Sequence, residues 1–261
     1  MRIYILFILI LTCTCGHCQD KYFNVCNLTK DSIPSDTLYK GKFIEGKKWT
    51  DKNGQNLLIV SRIGPKILYF PDGTAFFWKT FFFINRYVKQ NQFYKLYCQY
   101  TDSVRGTYMI PTWASLLFNS NTVTDLDSNG IAETIHIFCN QFSSDVQPPD
   151  MKLVFNDGYR NCVLNGQMYF RSCCPIKSIT DTTNLKKFEY DLEKLYLSKG
   201  RKYNSQDAYD NHLTIGRYEN SHDFDSLPPI FIEFARKIWS DNMCNLRNEE
   251  LMMLYGRDFI W

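Results

Sequence analysis

The sequence predicts an α+β protein: a β-rich meander, arranged as a sandwich or a partial propeller-like sheet, with C-terminal helices packed on it. Two observations carry this. From about Tyr39 to Phe170, short β-branched and aromatic runs alternate with turn chemistry; after Pro175 the apolar spacing changes to that of helices. The chain is also long enough, at 261 residues, to bury a sizeable core.

Taken in chain order, Arg2 precedes an apolar run from Ile3 to Leu11, and a Thr/Cys/Gly stretch ends in Gly16-His17-Cys18-Gln19. This reads as a signal peptide over residues 1–18, cleaved near Cys18/Gln19. The run is shorter than the about 20 residues a membrane-spanning helix needs. Phe76 to Tyr87 is interrupted by Lys79, Asn85 and Arg86, and no other segment is apolar enough to span. The expected destination is the periplasm, the cell surface or the extracellular space. Cys13, Cys15 and Cys18 are alternative lipid-bearing residues, but Thr or His precedes each where a lipoprotein signal prefers Gly, Ala or Ser.

The remainder divides into a β-rich domain, 19–175, and a helical part, 176–261. Strands are expected at Leu57 to Ile63, Ile67 to Phe70, Ala75 to Val88, Phe93 to Tyr100, Thr134 to Cys139, Lys152 to Phe155, Asn161 to Leu164 and Gln167 to Phe170. Pro71-Asp72-Gly73, Asn156-Asp157-Gly158 and Asn165-Gly166 supply hairpin or tight-turn chemistry between them. A helix is expected from Leu185 to Lys199, where Leu185, Phe188, Leu192, Leu195 and Tyr196 share one face before Gly200. Lys199 to Asp225 is polar and reads as a long exposed loop or a partly ordered crossing. Pro228-Pro229 opens a helix with Phe231, Phe234, Ile238 and Trp239 on one side, and Asn245 to Tyr255 forms another.

Formal charge is +3, falling to +2 once Arg2 leaves with the signal. Lys and Arg are scattered among acids, so no nucleic-acid partner is expected. Of the ten cysteines, Cys26, Cys98, Cys139, Cys162, Cys173, Cys174 and Cys244 lie beyond the signal. Export favours one or more disulfides among them, with one thiol left over and pairings open. Adjacent Cys173-Cys174 is a vicinal redox pair or, more simply, two residues bridged separately. Beyond the signal, the absence of C-x-x-C and H-x₃-H spacings argues against zinc.

The most informative stretch is Asp125-Leu126-Asp127-Ser128-Asn129-Gly130-Ile131-Ala132-Glu133. Asp125, Asp127 and Asn129 occupy positions 1, 3 and 5 of a calcium loop, Gly130 gives the turn at 6, Ile131 offers its carbonyl at 7, and Glu133 stands at 9. Position 12 is His136 rather than the bidentate Glu of an EF-hand, and Thr134 to Phe138 alternates as a strand. A polar Asn-Gly hairpin turn accounts for Asn129-Gly130 alone; it does not call for acids at 1, 3 and 9. The expected metal is a structural Ca²⁺, bound at about 10⁻⁴ to 10⁻³ M as in extracellular modules. An internal echo precedes it: Trp49-Thr50-Asp51-Lys52-Asn53-Gly54 repeats the order Thr-Asp, Asn-Gly, strand, two residues shorter and without the closing acid. It is expected to be a plain turn or a degenerate loop.

The Asp125 loop resembles the calcium loops of FG-GAP and VCBS-type repeats. A wider pattern combines the export signal with Trp49 to Gly54, Thr124 to Glu133, Ser144 to Lys152 and Pro229 to Trp239. Together these resemble an exported protein family of Bacteroidota linked to surface polysaccharide biosynthesis. The resemblance implies a binding or scaffolding role in the envelope, with polysaccharide or envelope proteins as partners, and it supplies no catalytic residues.

Enzymatic alternatives rest on less. Glu45, Asp102, Asp145 and Asp150 are available as the paired carboxylates of a glycan-active hydrolase, but nothing in the sequence pairs any two of them, and surface solvation is the stronger explanation. His136 and Cys139, three apart on a strand, point to opposite faces and make no nucleophile–base pair. His212 and His222, with Asp223 and Asp225, are a further candidate metal group or a solvated loop. Aromatic residues dense at Phe76 to Phe83 and Phe93 to Tyr100 suit sugar stacking or a protein-interaction face, and suit inward strand positions as well.

Overall fold

The computed structural model describes residues 23–35, 37–70, 72–73, 76–105, 112–117, 121–142, 148–169 and 188–244. The expected signal peptide, Asp145, Cys173-Cys174 and the helix at Asn245 to Tyr255 lie outside them. The first sheet joins β1 (Cys26–Leu28), β2 (Lys42–Asp51), β3 (Gly54–Tyr69), β4 (Phe76–Gln90) and β5 (Phe93–Arg105) in sequence order. All its pairings are antiparallel, an up-and-down meander.

The second sheet runs β10 (Asn161–Gln167), β9 (Asp150–Asn156), β8 (Glu133–Phe142), β6 (Thr112–Leu116). β7 (Thr122–Thr124) shares the β8 edge with β6, pairing with Glu133 to Ile135 while β6 takes Phe138 to Phe142. The protein is thus β-rich and antiparallel, with its helices at the C-terminal end, as the sequence predicts. Of the two arrangements expected, a sandwich is what forms.

Its core follows from the two-residue period of strands. Trp49, Leu58, Val60, Phe82 and Ile84 of the first sheet meet Val123, Ala132, Phe138 and Val154 of the second. The alternate residues Ile135, Ile137, Cys139, Met151, Leu153 and Phe155 face the other way and meet α3 (Pro229–Asn242) through Phe231, Ala235 and Trp239. The second sheet is therefore buried on both faces. Pro229 stands in the first turn of α3, where its missing N–H costs nothing. Trp239 is fully buried, donates from Nε1 to the Gly216 carbonyl at 3.1 Å and lies edge-on to Tyr218.

Several boundaries differ from the sequence expectation. The runs at Leu57 and Ile67 are one strand, β3, with a register shift between Ile63 and Lys66 where Pro65 has no N–H for the ladder. Asn165-Gly166 is not a turn: β10 runs through it, pairing Gly166 with Met151. Glycine serves close approach here, since a Cβ on Gly166 would stand 1.9 Å from the Arg217 carbonyl oxygen. Leu185 lies outside the described residues; of the helix expected from it, the described part is α1 (Leu192–Ser198), capped by Asp191 accepting from the Lys194 N–H at 3.1 Å. Phe188 precedes it, because Asp191 is extended and bridges to Tyr218, whose N–H donates to the Tyr190 carbonyl and whose carbonyl accepts the Leu192 N–H, both at 3.0 Å. Nor is the polar stretch a bare loop. It contains α2 (Ser205–Asp210), and Thr214 to Glu219 bonds to the β10 edge.

Cys26, Cys98 and Cys162 are free thiols, and Cys139 Sγ meets Met168 Sδ at 3.5 Å. Cys244 is disulfide-bonded. His136 and Cys139 do lie on opposite faces: Cys139 is in the helix-side core, and His136 Nδ1 meets Asn121 Oδ1 at 2.8 Å.

Two predictions follow from this packing. Gly166→Ala should destabilise the fold by about 2 kcal/mol or more, as overpacking against backbone does, read as a lower denaturation midpoint. His136 is buried, and desolvation, helped by Lys47, lowers its pKa to about 3. The unfolded chain binds a proton near pH 6.5 that the folded chain refuses, so His136 makes the protein lose stability as pH falls from 6.5 toward 3. The slope is about 1.4 kcal/mol per pH unit. His136→Gln should be the less stable protein at pH 7, and the gap to wild type should narrow steadily in denaturation curves taken at falling pH.

Candidate metal centre

The Asp125 loop closes the β7–β8 hairpin, entering from Thr124 and leaving at its antiparallel partner Glu133. Short polar side chains fold it by bonding to its own backbone. Asp125 accepts the Gly130 N–H on both oxygens, at 3.1 and 3.2 Å. Asp127 Oδ1 accepts the Asn129 N–H at 3.1 Å, and Asn129 Oδ1 accepts the Ile131 N–H at 2.6 Å. Ser128 and Gly130 both have positive φ, 57° and 81°, which turns the chain back on itself.

This winding brings one carboxylate oxygen each of Asp125, Asp127 and Glu133 within 4.8 Å of one another. Oxygens bound to one Ca²⁺ at 2.3 to 2.6 Å stand no more than about 5 Å apart, so the cluster is of calcium size. The Asn129 amide also donates to Asp127 Oδ2 at 2.9 Å, and Ile131 is buried beside it in the loop. His136 is turned away, as expected for a loop without an EF-hand's twelfth ligand.

Glu133 is the unusual member. Its side chain is buried, with Oε2 accepting from the Leu126 N–H at 2.8 Å and the Thr124 hydroxyl at 3.2 Å. Oε1 is equally buried and has no hydrogen-bond partner. Burial pushes the Glu133 pKa up to about 7, against the Leu126 N–H and with help from the Asp127 charge. A buried acceptor left unpaired costs about 1–3 kcal/mol, more when charged. A cation coordinated here would remove that cost, and the donor set of oxygens alone fits a hard ion.

The first copy of the Thr-Asp, Asn-Gly pattern proves to be a plain β2–β3 turn, with Asp51 Oδ1 accepting the Asn53 N–H at 2.8 Å. It nevertheless packs on the Asp125 loop. Asp51 Oδ2 accepts from Ala132 N–H at 3.1 Å and from Arg86 Nη2 at 2.9 Å, and Arg86 Nη1 donates to the Ala132 carbonyl at 2.9 Å. The sequence signals Asp51 only through the echo, and Arg86 only as a charge within an apolar run.

The other candidates disperse. Glu45 pairs with Lys47 and Asn121. Asp102 and Asp150 do line one cleft of about 450 Å³, but Lys152 neutralises Asp102, and Gln167 Nε2 reaches Asp150 Oδ1 at 3.5 Å. Burial raises the Asp150 pKa. His222 pairs with Glu193 at 2.6 Å and Asp225 at 3.2 Å, while Asp223 accepts the Val163 N–H at 3.0 Å. Among the described residues, Asp125, Asp127 and Glu133 are the one such group with ligand spacing, and His212 is not part of it. Of the dense aromatic runs, Phe82 and Phe83 are buried, whereas Phe93 and Tyr97 are exposed on β5. No helix among the described residues is long and apolar enough to cross a membrane. Compared with family models, curated proteins and solved structures, the chain matches none.

Proposed function

We propose that the chain is an exported, calcium-braced protein of the bacterial envelope that acts by binding or scaffolding, in surface polysaccharide assembly. The observation that carries the calcium half is the buried Glu133 Oε1, unpartnered in a turn that also gathers Asp125 and Asp127. Asp125, Asp127 and Glu133 would hold the ion, joined by Asn129 and the Ile131 carbonyl at their loop positions. Its role is structural. It offsets the mutual repulsion of the carboxylates and ties the end of β7 to the start of β8. Export and polysaccharide assembly are supported by the N-terminal signal pattern and by the resemblance of the Trp49, Thr124, Ser144 and Pro229 segments.

Calcium titration of the chain from residue 19, by calorimetry and thermal melting, tests this. At calcium a hundredfold above Kd the stabilisation is about 2.7 kcal/mol, which for a chain of this size raises Tm by about 5 to 10 °C. The Asp125→Ala/Asp127→Ala variant should lose both the heat and the shift. Absence of heat and shift in the wild type would reduce the loop to an acidic hairpin turn.

One observation favours a second reading, a glycan-active hydrolase: Asp102 and Asp150 share a cleft, and the Asp150 pKa is raised. Release of reducing ends from bacterial surface polysaccharide, lost in Asp150→Asn, would establish that reading; equal release by wild type and variant would end it.

A further inference from the structure

We infer that Asp51 is a positioning residue of the metal loop, a carboxylate from the opposite sheet that fixes the peptide carrying the Ile131 carbonyl. The inference rests on the calcium reading above and deepens it. The Asp51 side chain is completely buried. Its Oδ2 gathers three donors: Arg86 Nη2 at 2.9 Å, Trp49 Nε1 at 3.1 Å and the Ala132 N–H at 3.1 Å. Arg86 and Trp49 belong to the same sheet; Ala132, 81 residues away, belongs to the loop.

A trans peptide is planar, with its N–H and C=O directed oppositely. Holding the Ala132 N–H on Asp51 therefore turns the Ile131 carbonyl, the loop's seventh-position ligand, away from Asp51. The neighbouring peptides are held from the same side. The Lys52 N–H donates to the Gly130 carbonyl at 2.7 Å, and Arg86 Nη1 donates to the Ala132 carbonyl at 2.9 Å. The first sheet thus grips Gly130 and Ala132, on either side of the carbonyl ligand, without occupying any oxygen assigned to the ion.

Two consequences follow. The loop is ordered when the chain folds rather than when the ion arrives, so little ordering entropy is left to oppose binding. The charge of Asp51 also matters, because an amide in its place has one acceptor oxygen and directs an NH₂ group at donors that have nothing to accept it.

The experiment compares calcium Kd values by calorimetry, well below every melting temperature, for wild type, Asp51→Asn and Trp49→Phe. Asp51→Asn should weaken calcium binding about tenfold or more with an unchanged circular dichroism spectrum, the tenfold being a loss of about 1.4 kcal/mol. Trp49→Phe removes a donor to the same carboxylate but leaves the Ala132 bond, and should lower Tm while holding Kd within about twofold. A folded Asp51→Asn that binds calcium with the wild-type Kd overturns the assignment and leaves the calcium site standing. No binding by the wild type overturns the site itself, and the assignment with it. Hydrogen exchange on the wild type keeps the test independent of any variant's folding. The Ala132 amide should be protected without calcium, and fast exchange there would overturn the assignment.

Discussion

The guanidinium of Arg86 is the interaction on which the rest depends. It leaves β4 with its side chain almost wholly buried and spends its donors on Asn56 of β3, Asp51 at the end of β2, the Ala132 carbonyl and Asn156 of β9. Trp49 and Tyr97 lie near it, with ring centres at 5.2 and 5.5 Å. Burial lowers its pKa and Asp51 is foremost among the groups opposing that shift, so the pair is held together by mutual need. A buried ion pair is weak evidence of net stability, yet removing one partner typically costs about 3–5 kcal/mol. What the pair contributes is register: one planar cation with fixed donor directions meets a turn, a loop and strands of both sheets in a single arrangement.

That register explains why the Asp125 loop sits where it does. The buried backbone at Ala132 is satisfied from the first sheet, leaving the carboxylates of Asp125, Asp127 and Glu133 to converge on their own side of the turn. Protein groups supply donors for one Glu133 oxygen and none for the other. Arg86 is well supplied with acceptors while this oxygen has no donor, an imbalance that the proposed cation would relieve.

Much of this was legible in the sequence, for a local reason. Strand periodicity and the positions of Asn53-Gly54, Asn156-Asp157-Gly158 and Asn129-Gly130 depend on neighbours within a few residues, and those elements lie where the pattern puts them. The Pro228-Pro229 helix start is of the same kind. Asn165-Gly166 misled because its glycine answers to Arg217, some fifty residues on, rather than to a turn. Phe188 keeps helical spacing with Leu192, but Tyr218, bridged to β10 at Gly166, offers the Tyr190 carbonyl and the Leu192 N–H hydrogen bonds that an isolated helix could not match. Asp51 and Arg86 stand in the sequence only as a turn residue and a break in an apolar run, because their partners are remote and a lone charge in a strand carries no sign of what it will face.

The double burial of the second sheet has a consequence for how the chain is made. Its helix-side face, with Ile135, Ile137, Leu153 and Phe155, is covered by Phe231, Ala235 and Trp239, which a ribosome adds some eighty to a hundred residues later. The first sheet pairs strands adjacent in sequence and can assemble as they emerge; the second must wait, with an apolar face uncovered. A truncation before Pro229 therefore leaves a sheet whose exposed face invites association with other chains, and the interval before α3 appears is when the nascent protein most needs to be kept apart from its neighbours.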